Sequence, residues 1–357
     1  PPHFSSRRRH TRCARWSRGL GDVYKRQVFA SMIFGGISGS SVSDTASVGA
    51  VLIPEMKKKG YTAEFASGIT VASSTMGMII PPSVPMIIYA LVSEESVGKL
   101  FLGSLIPGVM IGVLMLGITM GVSYWKRYPR EEIVLTPREK VDRVRQSLLA
   151  LIMPVFVVGA VVFGIATATE SAGIGVLYAF IIGAFVLRQL KLKQIPPLMR
   201  DAIVTSANVM IIIALSKLYI WILALERIPQ MVALFIQSLD LPPFLILLAI
   251  DLIILVTGTF VDVSPAILLL TPVFLPAMDV LGVSGIQFGV ILISGLAVGL
   301  VTPPVGMCLN VASAISKLGI GTIFRAALPF LLSNIITLLL ITYIPQLTLW
   351  LPAIFFE

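Results

Sequence analysis

Apolar stretches close to the ~20 residues that cross a bilayer recur along this chain, at Gly98–Tyr124, Leu148–Ile165, Ser171–Leu187, Ala202–Leu223, Pro242–Val256 and Gly321–Ile344. Pro242–Val256 is short and marginal as a full span. Basic breaks separate them. The longest, 125–145, holds Lys126, Arg127, Arg130, Arg138, Lys140, Arg143 and Arg145, and a second holds Arg188, Lys191, Lys193 and Arg200. Two spans lie between these breaks, so both breaks fall on one side, the cytoplasm by the positive-inside rule. Lys57, Lys58 and Lys59 lie two crossings upstream and fall there too, as do Lys317 and Arg325. The last stretch, Ile344–Glu357, has no basic residue and is expected outside. Pro229–Leu239 and Pro242–Val256 must then both cross or both fail to cross.

Four segments are too polar or too broken to be plain spans. Phe34–Gly49 packs Gly, Ser and Asp44 between two half-length apolar runs, Val28–Ile33 and Val48–Ile53, and Leu255–Pro272 does the same with Asp262. Ala72–Pro85 and Gly295–Asn310 are apolar but interrupted at proline pairs, Pro81–Pro82 and Pro303–Pro304. Proline removes a backbone donor and clashes with the preceding turn, so each pair opens its helix and frees carbonyls. Irregular backbone survives at membrane depth only when buried in protein or lining a wet cavity. Two re-entrant hairpins, each facing a discontinuous helix, are predicted. Freed carbonyls, hydroxyls and a carboxylate make an all-oxygen site, which suits a hard cation. Half-helix N-termini aimed at the cavity favour an anionic substrate.

The two sets are related by an internal repeat. An offset of 222 places Pro54 on Pro276, Met56 on Met278, Gly60 on Gly282, Gly77 on Gly299, Pro81–Pro82 on Pro303–Pro304 and Pro107 on Pro329. Counting crossings puts Lys57–Lys59 inside and the matching end near Gly282 outside. The expected fold is an all-α polytopic membrane protein with inverted repeats, the plan of many secondary transporters.

Composition narrows the class. Of 357 residues, 56% are hydrophobic and only 13% charged, with a mean hydropathy of +0.94. That charge is about half of an ordinary soluble domain's, which excludes a soluble enzyme, a disordered chain and a disulfide scaffold. Most of the net charge of +9 sits in residues 1–27, which hold eight Lys or Arg against Asp22 alone. This segment resembles the translated read-through of a sequencing-library adapter and is set aside as a non-native leader. From Val28 onward there is no His, and Cys308 stands alone. No His-based triad, His-metal site or disulfide can be built there. The expected organisation is therefore the leader 1–27, the remainder of the first repeat 28–124, a basic cytoplasmic loop 125–147 and the second repeat 148–357.

The motifs FGGISGSSVSDTASVG, IPEMKKKGYTAEFASGITVASS, IIPPSVPMIIY, GIATATESAG and GLVTPPVGMCLNVASAIS carry a family resemblance. From about Val28 to Leu351 the chain resembles the large membrane subunit of tripartite ATP-independent periplasmic (TRAP) transporters, the DctM-like permease. The resemblance implies Na⁺-coupled uptake of organic acids, such as C4-dicarboxylates or sialic acid, across the bacterial inner membrane by an elevator-like motion. It implies two partners, a small four-helix membrane subunit and a periplasmic substrate-binding protein, and no cofactor beyond the coupling ion. It implies one sodium site at Ser38, Gly39, Ser40 and Asp44 with Ser74 and Gly77 opposite. A second is implied at Gly258, Thr259 and Asp262 with Gly299, Val301 and Thr302 opposite. Met78 stands where the family pattern has Pro, so the first break is expected to be the milder one. The N-terminal part of the first repeat is expected to be missing.

Outside these sites, Glu170 reads as an interfacial helix cap, Trp221 and Trp350 as interfacial anchors, and Cys308 as packing. Two other functions fit the residues less well. A stand-alone sodium–dicarboxylate symporter would share the hairpins but need no partner genes beside it. An intramembrane protease would need a Ser with His or Lys, or paired Asp residues in a GxGD setting, and neither Asp44 nor Asp262 has it.

Overall fold

The computed structural model describes residues 23–125, 151–187, 190–239 and 241–356. Among them all regular structure is helical. The leader up to residue 22 and the basic loop at 126–147 lie outside the described residues. The first hairpin is α1 (Val23–Ser38) and α2 (Ser41–Lys58), so its first arm reaches back into the segment set aside as a leader. A helix interrupted twice follows: α3 (Ala63–Ser74), a single turn α4 (Met76–Ile79) and, past the proline pair, α5 (Val84–Ser93). The long span α6 (Val97–Trp125) completes this half.

Next come α7 (Leu151–Val162), α8 (Ala168–Ile181) extended by a π-helical turn (Ile182–Val186), and α9 (Ile195–Leu225). The amphipathic α10 (Ile228–Ser238) leads to the second hairpin, α11 (Pro243–Phe260) and α12 (Val263–Val280). The second interrupted helix is α13 (Gly285–Gly299) and α14 (Met307–Ser316), followed by the span α15 (Ile320–Tyr343) and α16 (Gln346–Phe356). Six helices among the described residues are long and apolar enough to cross a membrane, and the bent pair Ala63–Ile79 and Val84–Ser93 makes a seventh. The protein is a multi-pass membrane protein.

The 222 offset recurs in the element boundaries. It carries the end of α1 (Ser38) onto the end of α11 (Phe260), and the ends of α2 (Ser41, Lys58) onto those of α12 (Val263, Val280). It also carries the start of α3 (Ala63) onto that of α13 (Gly285). Gly60 and Gly282, both with positive φ (84° and 75°), make the equivalent turns after the hairpins, where a Cβ would be strained. The halves are intertwined: α15 packs along α3, α14 crosses onto hairpin arm α2, and α5 crosses onto hairpin arm α12. Each interrupted helix therefore hands its second half to the other hairpin.

The stretch Pro242–Val256 belongs to a longer helix, Pro243–Phe260, that is itself long and apolar enough to cross a membrane. Its helix runs without a break through Gly258 to Phe260 and forms the first arm of the second hairpin. Only Thr257, Gly258 and Thr259 separate Val256 from the tip at Phe260, too little polarity for hydropathy to divide arm from span. The preceding α10, at 11 residues, is too short to cross by itself. The outer helices differ sharply from the core: only 11% of the Ala168–Val186 window and 6% of the Leu192–Leu225 window are buried within the chain. Trp221 and Trp350 are both exposed, as membrane-interface anchors would be.

Candidate functional site

The first hairpin turns at Gly39, whose φ of +62° favours glycine, and α2 starts with Ser40 as its N-cap, its Oγ accepting from the Ser43 amide. This geometry swings Asp44 into the first turn of α2, where free amides and the helix dipole favour a carboxylate. Asp44 is 0% exposed. Ser38 donates to Asp44 Oδ1, and the same hydroxyl lies 3.3 Å from the Ser40 carbonyl. Asp44 Oδ2 has no hydrogen-bond partner.

What Oδ2 faces is the backbone of the interrupted helix. A Cβ on Gly77 would collide with the Asp44 carboxylate, its Cγ lying 2.8 Å away. Behind this contact, a Cβ on Gly35 would fall 2.8 Å from Gly77 Cα, so arm α1 lies directly on the break. Cβ positions at Gly36 and Gly39 approach the carbonyl oxygens of Pro81 (3.3 Å) and Pro82 (3.1 Å). Thr45 Oγ donates to Ser74 Oγ at 2.8 Å, and Ser31 and Ser73 pair their hydroxyls at 2.8 Å. The structure thus brings Ser38, Asp44, Ser74 and Gly77 together, with the Gly39–Ser40 turn against the proline pair.

The first break is the shorter one. Helical winding continues to Ile79 and resumes at Val84, whereas α13 stops at Gly299 and α14 starts only at Met307. Met78 contributes directly: its amide donates to the Thr75 carbonyl at 3.2 Å, a bond that proline could not make. Both proline pairs have cis peptide bonds.

The second hairpin repeats the close approach. A Cβ on Gly299 would lie 2.5 Å from Gly258 C and Cα, and one on Gly258 would lie 3.0 Å from Leu296 Cα. The Val305 amide donates to the Thr259 carbonyl at 3.3 Å, tying the hairpin to the break. Val301 is fully buried in that break. Thr259 and Thr302 turn their hydroxyls back onto their own helices, to the carbonyls of Val256 (2.8 Å) and Val298 (2.9 Å). Asp262 sits at the N-cap of α12 but is exposed and makes no cap hydrogen bond. The structure therefore gathers Gly258, Thr259, Gly299, Val301 and Thr302, while Asp262 stands at their edge rather than folded in as Asp44 is.

Several residues in this region carry no motif signal. Asn334 on α15, buried at 2% exposure, accepts from Thr75 Oγ at 3.1 Å and donates to the Ala72 carbonyl at 3.4 Å. Cys308, at the start of α14, is fully buried, as a packing residue would be, on the side facing Thr45 and Ser74. Asp251, in the middle of α11, is a second buried carboxylate. The only sequence signal for it is an acid within an apolar run, the rule already applied to Asp44 and Asp262. Glu170, by contrast, is the cap expected of it. Its amide donates to Thr167 Oγ at 3.2 Å and its carboxylate accepts from the Thr167 amide at 2.8 Å, a reciprocal capping box at the start of α8.

Paired hairpins, each laid on an interrupted helix within a bundle of membrane helices, define a multi-pass membrane protein with the architecture of a transporter. The family model for the tripartite ATP-independent periplasmic transporter, DctM component, matches residues 12–347. The chain belongs to this family. It is 36% identical over 325 residues to the C4-dicarboxylate TRAP transporter large permease protein DctM of Pseudomonas aeruginosa, covering 91% of this chain and 76% of that protein. It is 35% identical over 339 residues to the sialic acid TRAP transporter large permease protein SiaM of Vibrio cholerae, covering 94% and 78%. Over 327 residues it is 34% identical to the isethionate TRAP transporter permease protein DctMQ of Oleidesulfovibrio alaskensis, covering 89% of this chain and 50% of that protein. The chain is a large permease subunit of a transporter, not an enzyme.

Proposed function

We propose that this chain is the permease of a Na⁺-coupled importer of organic acids in the bacterial inner membrane. Its substrates are small carboxylates of the kind named for its relatives, C4-dicarboxylates or sialic acid. A periplasmic binding protein delivers the substrate, and a small four-helix membrane subunit completes the permease. The repeats are inverted, and the hairpins with their interrupted helices move as a unit in an elevator-like step.

The observation that carries this reading is the unpartnered, fully buried Oδ2 of Asp44 against the Gly77 backbone. A buried carboxylate served by one serine hydroxyl, with no cation among the hydrogen-bonding groups around it, is costly unless a positive charge joins it. Sodium would supply that charge, and Ser38, Ser74 and freed backbone carbonyls would offer the oxygen ligands that a hard cation takes. Gly258, Thr259, Gly299 and Thr302 provide a second place of the same kind, with Asp262 free to join it when an ion arrives.

The test is reconstitution with the partner subunits in proteoliposomes. Uptake of a labelled dicarboxylate or sialic acid should follow an imposed inward Na⁺ gradient. Uptake driven equally well by K⁺, or requiring ATP, overturns the reading.

A further inference from the structure

Asp251 lies midway along α11, 3% exposed, and neither hairpin site includes it. Its Oδ2 is 3.0 Å from Thr342 Oγ on α15, and that hydroxyl is also 2.9 Å from the Leu338 carbonyl. A hydroxyl carries one proton and cannot fully donate to both. With a proton on the carboxyl, the accounting closes. Asp251 donates to Thr342 Oγ, and Thr342 donates to Leu338.

A metal cation would be a poor occupant here. Asp251 sits inside an unbroken helix, so its backbone offers no freed carbonyls, unlike the breaks beside Asp44. The α15 carbonyls beside Thr342 are already taken: Gln287 Nε2 on α13 donates to Ile341 at 3.0 Å and to Thr342 at 3.2 Å. Among the described residues of the helices around it, positive side chains are remote as well. α11 has no other ionisable side chain and α13, packed along it, has none. α12 contributes only acids, Asp262 at its N-cap and Asp279 near its far end. On α15, Arg325 is roughly 25 Å away along the helix axis at 1.5 Å per residue. Tyr343, the remaining ionisable group there, donates its hydroxyl to the Phe244 carbonyl at 3.0 Å.

We propose that Asp251 is a proton-binding site of the permease, separate from the two hairpin sites and holding its proton against Thr342. Its place fits a coupling role. Asp251 belongs to hairpin arm α11, Gln287 to the interrupted helix and Thr342 to the span behind it. Loading or losing the proton changes the polar link among all three.

Infrared difference spectroscopy on the purified chain tests this without reference to transport. At neutral pH, a protonated-carboxyl C=O band should be present, lost in Asp251→Asn, retained in Asp262→Asn and displaced in Thr342→Val. In proteoliposomes with the partner subunits, Asp251→Asn should keep its sodium response and lose the dependence of uptake rate on pH. Asp251→Glu should retain that dependence with a shifted midpoint, which guards against a folding defect in the asparagine variant. The proposal is overturned if no carboxyl band responds to Asp251→Asn, or if that variant keeps the unmodified pH profile. Absence of any sodium response in the unmodified permease would refute the sodium reading alone.

Discussion

The carboxylate of Asp44 occupies the space that any side chain at position 77 would need, so Gly77 is the residue that lets Asp44 reach the helix break. Gly77→Ala should therefore push Asp44 off the break, because an alanine methyl and the carboxylate cannot share that space. Overpacking of this kind costs ~1–3 kcal/mol. The informative readout is sodium: the apparent Na⁺ requirement for uptake should rise many-fold while membrane insertion persists. An alanine variant with unchanged sodium dependence would mean that Asp44 does not need its place beside Gly77.

In the second half, the matching contact is backbone on backbone. Gly299→Ala would set a methyl 2.5 Å from Gly258, where no side chain can rotate away. It should lower the melting temperature in detergent more than Gly77→Ala does, and Gly258→Ala should behave similarly. Gly117→Ala and Gly121→Ala, on α6 with nothing within 4 Å of their Cβ positions, should be neutral or gain up to ~1 kcal/mol. Equal losses at all four positions would show that close approach is not what these glycines provide.

Thr75 and Asn334 make a buried pair across 259 residues of sequence, between the first break and α15. Thr75 Oγ also donates to the Ala72 carbonyl at 2.8 Å, so Thr75→Val leaves the Asn334 oxygen unsatisfied, at about 1–3 kcal/mol, while Asn334→Leu leaves Thr75 bonded. Thr75→Val and Asn334→Leu together should cost clearly less than the sum of the two, since the pair then leaves no orphan behind. Melting temperatures of the two single variants and the double variant decide this, and strict additivity would show that the two side chains act independently.

Much of this arrangement is legible in the residues, and the reason is local. Gly39 with flanking serines, Asp44 and the proline pairs each dictate backbone geometry within a few positions, and the 222 offset that aligns Pro54 with Pro276 also aligns the ends of the hairpin arms. What escapes is long-range or ambiguous in hydropathy. An arm such as Pro243–Phe260 is as apolar as a span, with a mean hydropathy of 2.3, so only its last residues, from Thr257 on, mark the hairpin and the rest reads as a span. Asn334 is one of several polar residues in a long, mostly apolar helix, and only tertiary packing supplies its partner. The exposure of Asp262 is likewise set by how the tip seats on the second break, not by the sequence around it.

The two hairpin carboxylates should respond differently to substitution. Asp44 is buried with an unpartnered oxygen, so Asp44→Asn removes a desolvated charge and should raise the melting temperature of the ion-free protein. An ion that binds only the folded state stabilises it in proportion to the logarithm of its concentration. Asp44→Asn should therefore flatten most of the sodium-induced rise in melting temperature. Asp262 is exposed and uncapped, so Asp262→Asn should leave the ion-free melting temperature almost unchanged and remove only the part of the sodium response that belongs to its own site. The double variant should show no sodium-dependent stabilisation and almost no uptake, while still inserting into the membrane. A full sodium-dependent shift in the Asp44→Asn protein would place the ion elsewhere.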